Sequence, residues 1–300
     1  MKSYLRIHSP WSQLVLFLLL LLAGVTIGSF AGASFLWARG FISLNQKSLD
    51  FSDPKLISAL KTVQVIYTVA GFLLPAMLYA TIAYKFRALY LLGFRAPQKL
   101  NYYVLAVLLM AASFPLASWL GEMNEHIPLA QWMIDAEKEA SKQMESFFKS
   151  NSTKDVIVNL LIIGLLPAIC EEACFRGVLQ RIFIRICKSP WIGIIIGSVF
   201  FSAFHMQFEG FLPRMFLGII LGALYWYSGS LWVSITAHFF NNASQLILIS
   251  YYSKAINENS SVPVYAAIAS ALIVWGMLLL IKRQSAANYR NAYAMDEGQL

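Results

Sequence analysis

The stretch "LLPAICEEACFRGVLQRIF", residues 165–183, opens as apolar as a membrane span and then sets Glu171, Glu172 and Arg176 inside the run. How the chain houses those three charges decides its fold. Of the 300 residues, 58% are hydrophobic and only 13% are charged, with a mean hydropathy of +0.61. A soluble domain carries about 25% charged residues, so the stretch belongs to a membrane protein if the apolar residues are grouped. They are: uncharged runs cover Leu14–Ala38, Thr62–Tyr84, Leu100–Gly121, Val156–Cys170, Met215–Ser253 and Asn259–Ile281, and Ser189–Phe208 carries only a histidine and Gln207 as polar interruptions near its end. A helix crossing about 30 Å of hydrocarbon needs about 20 residues at 1.5 Å each. Met215–Ser253 is long enough for two crossings, broken at "YSGSLW" (227–232), and the Val156 run reaches spanning length only by continuing through Glu171 and Glu172. The reading is an all-α polytopic transmembrane bundle of about eight spans, because continuously apolar runs lack the alternation of barrel strands. The first run is too long for the roughly 7–15-residue core of a signal peptide and reads as the first span.

Charge sets the expected orientation. With the N-terminus inside, 13 of the 23 Lys and Arg fall on the cytoplasmic side. The segments 85–99 and 176–188, read as cytoplasmic, are basic without any acid, and Lys282, Arg283 and Arg290 follow the last span. Glu122–Asp155, with four lysines and seven acids, suits the outer face. The expected placement is a bacterial-type inner (cytoplasmic) membrane with both termini inside. The net charge of +8 belongs to this juxtamembrane pattern and excludes nucleic acid as the implied partner. Cys170, Cys174 and Cys187 lie in or beside one span, which argues against a disulfide framework. Residues 129–149 place Trp132, Met133, Ala136, Ala140, Met144, Phe147 and Phe148 at helical spacing opposite a charged face, the pattern of an amphipathic helix at the membrane border. The expected division is a three-helix scaffold (1–125), the interfacial helix (126–153), a four-helix core (154–252), and a last span with a polar tail (253–300).

The core holds nearly all the unusual chemistry. An ionisable side chain in mid-span costs about 2.5–3.5 kcal/mol on insertion scales, so Glu171 and Glu172 need partners, water or a purpose. Glu172 and Arg176 are i and i+4, helical neighbours with the acid on the N-terminal side. Glu171 points about 100° away and is free to meet another helix. "FFSAFHMQ" places His205 four residues after Phe201, and "WVSITAHFFNNASQL" places His238 four residues before Asn242. Each of these features alone fits an ordinary helix contact. Arg214, near the start of the sixth span, is read as reaching an interface with its long side chain. Counted from the cytoplasmic ends, Glu171 lies about 8 Å deep, His238 about 12 Å and His205 about 21 Å, so the three residues do not obviously meet.

Glu-Glu-x-x-x-Arg (171, 172, 176), Phe-x-x-x-His (201, 205) and His-x-x-x-Asn (238, 242), in this order on successive spans, resemble the CPBP family. That family includes the type II CAAX prenyl endopeptidases and the Abi-type bacteriocin-processing and self-immunity proteins. The resemblance covers about residues 155–245. It implies a bundle of about eight helices around a cavity and an intramembrane endopeptidase using an activated water. In that reading Glu171 is the general base and His205 holds or activates the water. His238 and Asn242 polarise the scissile carbonyl, and Glu172 with Arg176 supports them. The resemblance leaves two chemistries open: Zn²⁺ held by Glu171, His205 and His238, or a metal-free water activated by the glutamate. The implied partners are the lipid bilayer and a membrane-associated peptide or protein, prenylated or not. The competing readings are a non-proteolytic scaffold or self-immunity protein with a structural polar network, and a proton-relaying transporter.

Overall fold

The computed structural model describes residues 9–43, 49–84, 87–148, 152–256 and 261–289. Lys2, Arg6, His8, Lys85 and the tail from Arg290 onward lie outside the described residues. Eight helices form the bundle: α1 (Pro10–Ala38), α2 (Pro54–Ala83), α3 (Asn101–Glu125), then, after the amphipathic α4 (Gln131–Phe147), α5 (Thr153–Cys187), α6 (Pro190–Phe204), α7 (Phe211–Ser228), α8 (Leu231–Ile256) and α9 (Val264–Gln284). Six of the eight are long and apolar enough to cross a membrane: α1, α2, α3, α5, α7 and α9. The chain is an integral membrane protein. Helix α6 has only 15 residues, and α8 is interrupted by His238, Asn241, Asn242 and Gln245 along its length.

Two features of the sequence set the helix ends. The break expected at "YSGSLW" is a left-handed turn at Gly229 (φ 66), which ends α7 before α8 begins two residues later. Gly93 takes φ 105 after the short helix Ala88–Leu92, and a Cβ there would meet the Tyr225 ring at 2.6 Å. The Gly93 carbonyl then accepts the Leu231 N–H at 2.8 Å. Leu92, Ser230 and Leu231 are fully buried, so α8 starts inside the bundle and not at its surface.

Helix α5 is the central element, and it corrects the sequence reading of 176–188. That segment is not a basic cytoplasmic loop. The helix runs unbroken from Thr153 to Cys187, and Arg176 is 2% exposed. The reversal comes only at Lys188 (φ 51), with Pro190 opening α6. Glu171 is therefore about 24 Å from the Cys187 end by helical rise, in the middle of the span. The depths counted from sequence failed because they placed the end of α5 at Arg176, eleven residues short of Cys187, and the start of α8 at the surface. Two wide π-helical turns, Leu160–Leu165 and Phe175–Gln180, flank the glutamate pair. The first has a covalent cause: Pro167 has no N–H to give to the preceding turn, and Leu166 bonds instead to the Leu161 carbonyl. Helix α5 packs on α2, α6 and α8, while α7, α8 and α9 close round α3. The contacts of α5 with α8 and α6 are tight. A Cβ on Gly164 would lie 3.3 Å from the Phe239 ring, and one on Gly193 would lie 2.5 Å from the Ile184 backbone nitrogen.

Candidate active site

Glu172 sits at the centre of the polar cluster and is fully buried. Its Oε1 lies 3.0 Å from Arg176 Nη1 and 2.9 Å from His238 Nδ1. The i, i+4 pairing read from sequence is present, and the structure adds the imidazole. Arg176 donates from Nη2 to the Gly218 carbonyl at 3.1 Å. Its guanidinium also lies over the Phe201 ring, 4.3 Å from the centroid. Four helices are thereby tied through one carboxylate and one guanidinium: α5, α6, α7 and α8.

Glu171 faces a different way, as its helical position requires. Its Oε2 is 3.8 Å from His205 Nε2 and 3.8 Å from His238 Nε2. Both separations are too long for a direct hydrogen bond, and this oxygen has no hydrogen-bond partner in the protein. A gap of that width is too narrow for a water on the line between the atoms, so a water shared by these groups would sit beside them in the cavity. The gap opens into a cavity of about 460 Å³ that Glu171, His205, His238 and Asn242 all line. The gathering of four polar side chains from three helices is thus present in the fold. His205 reaches it as the residue closing the C-terminal end of α6.

The second nitrogen of each imidazole fixes its tautomer. His205 Nδ1 lies 2.8 Å from the Phe201 carbonyl, which can only accept. His238 Nδ1 faces the Glu172 carboxylate, which also only accepts when ionised. Both Nδ1 atoms therefore carry a proton, and in a neutral ring the Nε2 aimed at Glu171 is an acceptor. His238 can donate from Nε2 only as an imidazolium, and the Glu172 carboxylate at 2.9 Å is the group that stabilises that charge. Asn242 gives one amide N–H to the Gly164 carbonyl at 3.2 Å, a carbonyl that lies in the widened turn preceding Pro167. It keeps a second N–H, since an amide nitrogen carries two.

The donors stand slightly wider apart than the ligands of a bound zinc ion. Zinc held at about 2.0–2.2 Å by tetrahedral ligands sets those ligands about 3.3–3.5 Å apart, less than the 3.8 Å found here. Among the described residues no three His, Cys, Asp or Glu side chains are grouped so as to hold one. Cys170 and Cys174 are buried and do not line the cavity.

Sequence reasoning missed several lining residues. Gln64, Gln207, Asn241, Gln245 and Arg214 all border the cavity, as do Met144 and Phe148 at the end of α4 and just beyond it. Arg214 was expected at an interface and instead borders the site. Its presence in a span was the available signal. The glutamines and Asn241 carry no comparable signal, since isolated amides in a span are common helix contacts.

Residues 153–244 match the Rce1-like family of type II CAAX prenyl endopeptidases. The Rce1-like segment contains Glu171, Glu172, Arg176, His205, His238 and Asn242. The chain is similar to an uncharacterised 24.3 kDa protein of Escherichia coli, 35% identical over 99 residues, which are 32% of this chain and 46% of that one. It is also similar to the uncharacterised protein YpbD of Bacillus subtilis (strain 168), 33% identical over 95 residues, 30% of this chain and 46% of the relative. The chain spans about half the length of the curated relatives it matches. No solved structure matches. Gln64, Met110, Met144, Phe148, Gln245, Leu246 and Ile249 complete the cavity from outside the Rce1-like segment.

Proposed function

We propose that this protein is an intramembrane endopeptidase in which Glu171 activates a water to hydrolyse a peptide bond of a membrane-associated substrate. The observation that carries the reading is Glu171 at the wall of a cavity, its Oε2 within 3.8 Å of two imidazole nitrogens that line the same cavity. A water in the cavity beside them donates one proton to the Glu171 carboxylate and a second to the neutral His205 Nε2. As its oxygen attacks the scissile carbonyl, the first proton passes to Glu171. The carbonyl oxygen becomes an oxyanion, met by Nε2–H of a His238 imidazolium and the free N–H of Asn242. A preorganised donor of this kind contributes roughly 3–4 kcal/mol. Collapse breaks the C–N bond, and Glu171 returns its proton to the departing amine. Glu172 holds the His238 ring and its charge, and Arg176 holds Glu172.

Every proton in this sequence moves between named groups and water, and no step passes through a metal. The cavity of about 460 Å³ lies within the 300–1,000 Å³ typical of small-ligand sites, so it admits a short extended peptide segment and not a folded domain. Substrate prenylation is left as a question for assay. The sequence division serves this reading with one change of emphasis. Residues 1–125 act as scaffold while lending Gln64 and Met110 to the cavity wall, 126–153 borders the cavity, 154–252 carries the chemistry, and 253–300 closes the bundle. The basic residues around the α2–α3, α5–α6 and α9 ends support an inner-membrane orientation with both termini inside.

The test is hydrolysis of a membrane-associated peptide by purified protein and by Glu171→Gln. Loss of cleavage in a folded variant is expected. Cleavage retained at the wild-type rate removes Glu171 as the base.

A further inference from the structure

Arg214 stands in the first turn of α7, one turn before Gly218, whose carbonyl holds Arg176. Its position is doubly unfavourable. A guanidinium within a span is costly, and the start of a helix already carries positive partial charge. The structure shows how the side chain is held. Nη1 donates to the Gln207 carbonyl at 2.9 Å and Nη2 to Gln207 Oε1 at 3.1 Å. Gly210 makes room for it, since a Cβ there would lie 2.8 Å from Nη2.

These contacts position the guanidinium without neutralising it. Among the described residues Arg214 forms no ion pair. Glu137 on α4 and Glu171 are the acids whose charge reaches it, neither in direct contact, and Glu137 Oε2 accepts the Glu209 N–H at 3.4 Å. A guanidinium has five N–H donors, and the two bonds to Gln207 leave three. A fixed cation with spare N–H donors and no carboxylate in direct contact, at the wall of the cavity that holds Glu171, has the properties of an anion site. Its planar fork matches a carboxylate bidentately.

We propose that Arg214 is the specificity-determining residue of this cavity, docking a carboxylate of the peptide substrate and so fixing which bond lies over Glu171. The proposal deepens the endopeptidase reading and rests on it. The carboxylate comes from one of two sources, the peptide's C-terminus or an Asp or Glu side chain. In either case the anchor lies near Gln207 and Gly210, and the scissile bond lies farther in, beside His205 and His238.

The test separates docking from hydrolysis. Full-length Glu171→Gln protein in lipid nanodiscs is titrated with fluorescent, lipid-anchored heptapeptides of Ala, Val and Leu. One pair ends in a carboxylate or an amide, and a second, amidated pair carries Glu or Gln at one interior position. One carboxylate peptide is expected to bind about tenfold or more tightly than its neutral twin, the strength of a charge-assisted bond, and the pair that responds names the source. Adding Arg214→Gln should abolish the difference, and adding Arg214→Lys should retain part of it, which guards against a folding defect. Equal binding within both pairs, no binding of any peptide, or a preference surviving in Arg214→Gln overturns the proposal. Cleavage of the four peptides by wild-type protein is measured separately. Hydrolysis blind to the carboxylate sinks only the role of Arg214, whereas carboxylate-selective binding without hydrolysis of any bound peptide sinks only the endopeptidase reading.

Discussion

His238 and Glu172 form the tightest link between the outer helices of the site and α5: Nδ1 lies 2.9 Å from Oε1, with both side chains buried. Glu172 is the shared anion of two potential cations, Arg176 and His238. Glu172→Gln leaves an acceptor for Nδ1 but removes the negative charge. Turnover should fall about 10–100-fold, the usual loss when a residue orienting an imidazole is changed. Breaking a buried pair on one side also costs about 3–5 kcal/mol, so thermal unfolding should begin earlier. Steady-state kinetics beside an unfolding scan measure both, and a stability loss with unchanged turnover would confine Glu172 to a structural role.

Glu171 should behave in the opposite way. Its Oε2 accepts no hydrogen bond from the protein, so Glu171→Gln breaks no direct hydrogen bond at that oxygen and relieves a carboxylate of its poorly hydrated position. Unfolding should occur no earlier than in the wild type, while hydrolysis falls about 10²–10⁴-fold, the range for a lost general base. A marked drop in stability would place Glu171 in the structural network with Glu172.

The eight-helix architecture was legible because apolar runs report length directly, and the motif residues were legible because charge in a span is conspicuous. Depth was not legible. Arg176 looks like the edge of a basic loop until α5 is seen to continue to Cys187, and His205 looks remote only while the depth of Glu171 is counted from that false edge. The burial of Ser230 and Leu231, which starts α8 inside the bundle, depends on the packing of Leu92 and Gly93 from a distant segment. No local pattern encodes that contact. The widened turns around the glutamates also escape a 3.6-residue reading, although Pro167 marks one of them. The pairing of His238 with Glu172 was missed for the same reason: it joins side chains 66 residues apart.

Gly193 tests the packing that brings His205 to the site. A Cβ at this position would meet the Ile184 backbone nitrogen at 2.5 Å and its Cα at 2.7 Å, atoms that cannot step aside. Gly193→Ala should force α6 away from α5 and destabilise by about 1–3 kcal/mol, as overpacking does. Gly276 faces open space, so Gly276→Ala should be neutral or slightly stabilising in the same detergent-solubilised unfolding assay. Equal effects at the two positions would contradict the α5–α6 interface.

Chelation bears on the donor spacing. With Glu171 Oε2 at 3.8 Å from both imidazole nitrogens, wild-type turnover should survive prolonged dialysis against a strong chelator. Metal analysis of the active protein should find well under one zinc per chain. Loss of activity on chelation, restored by adding zinc alone, would show that the three side chains draw together by a few tenths of an ångström round an ion.

The orientation can be tested from the charge pattern. Helix α4 carries Asp135, Glu137, Glu139 and Glu145 among its exposed or half-buried positions, and Lys99, Arg95 and Arg185 stand at the opposite end of the bundle. Positive residues are retained on the cytoplasmic side of bacterial inner membranes, so α4 should face outward, with the cavity mouth bordered by Met144 and Phe148 on that same side. In a variant with Cys170, Cys174 and Cys187 replaced by Ser or Ala, a single cysteine at exposed Lys138 should react with a membrane-impermeant maleimide added to intact cells. One at exposed Lys99 should react only after the membrane is opened. The reversed pattern would turn the bundle over and bring the cavity's substrates from the cytoplasm, while leaving the geometry around Glu171 unchanged.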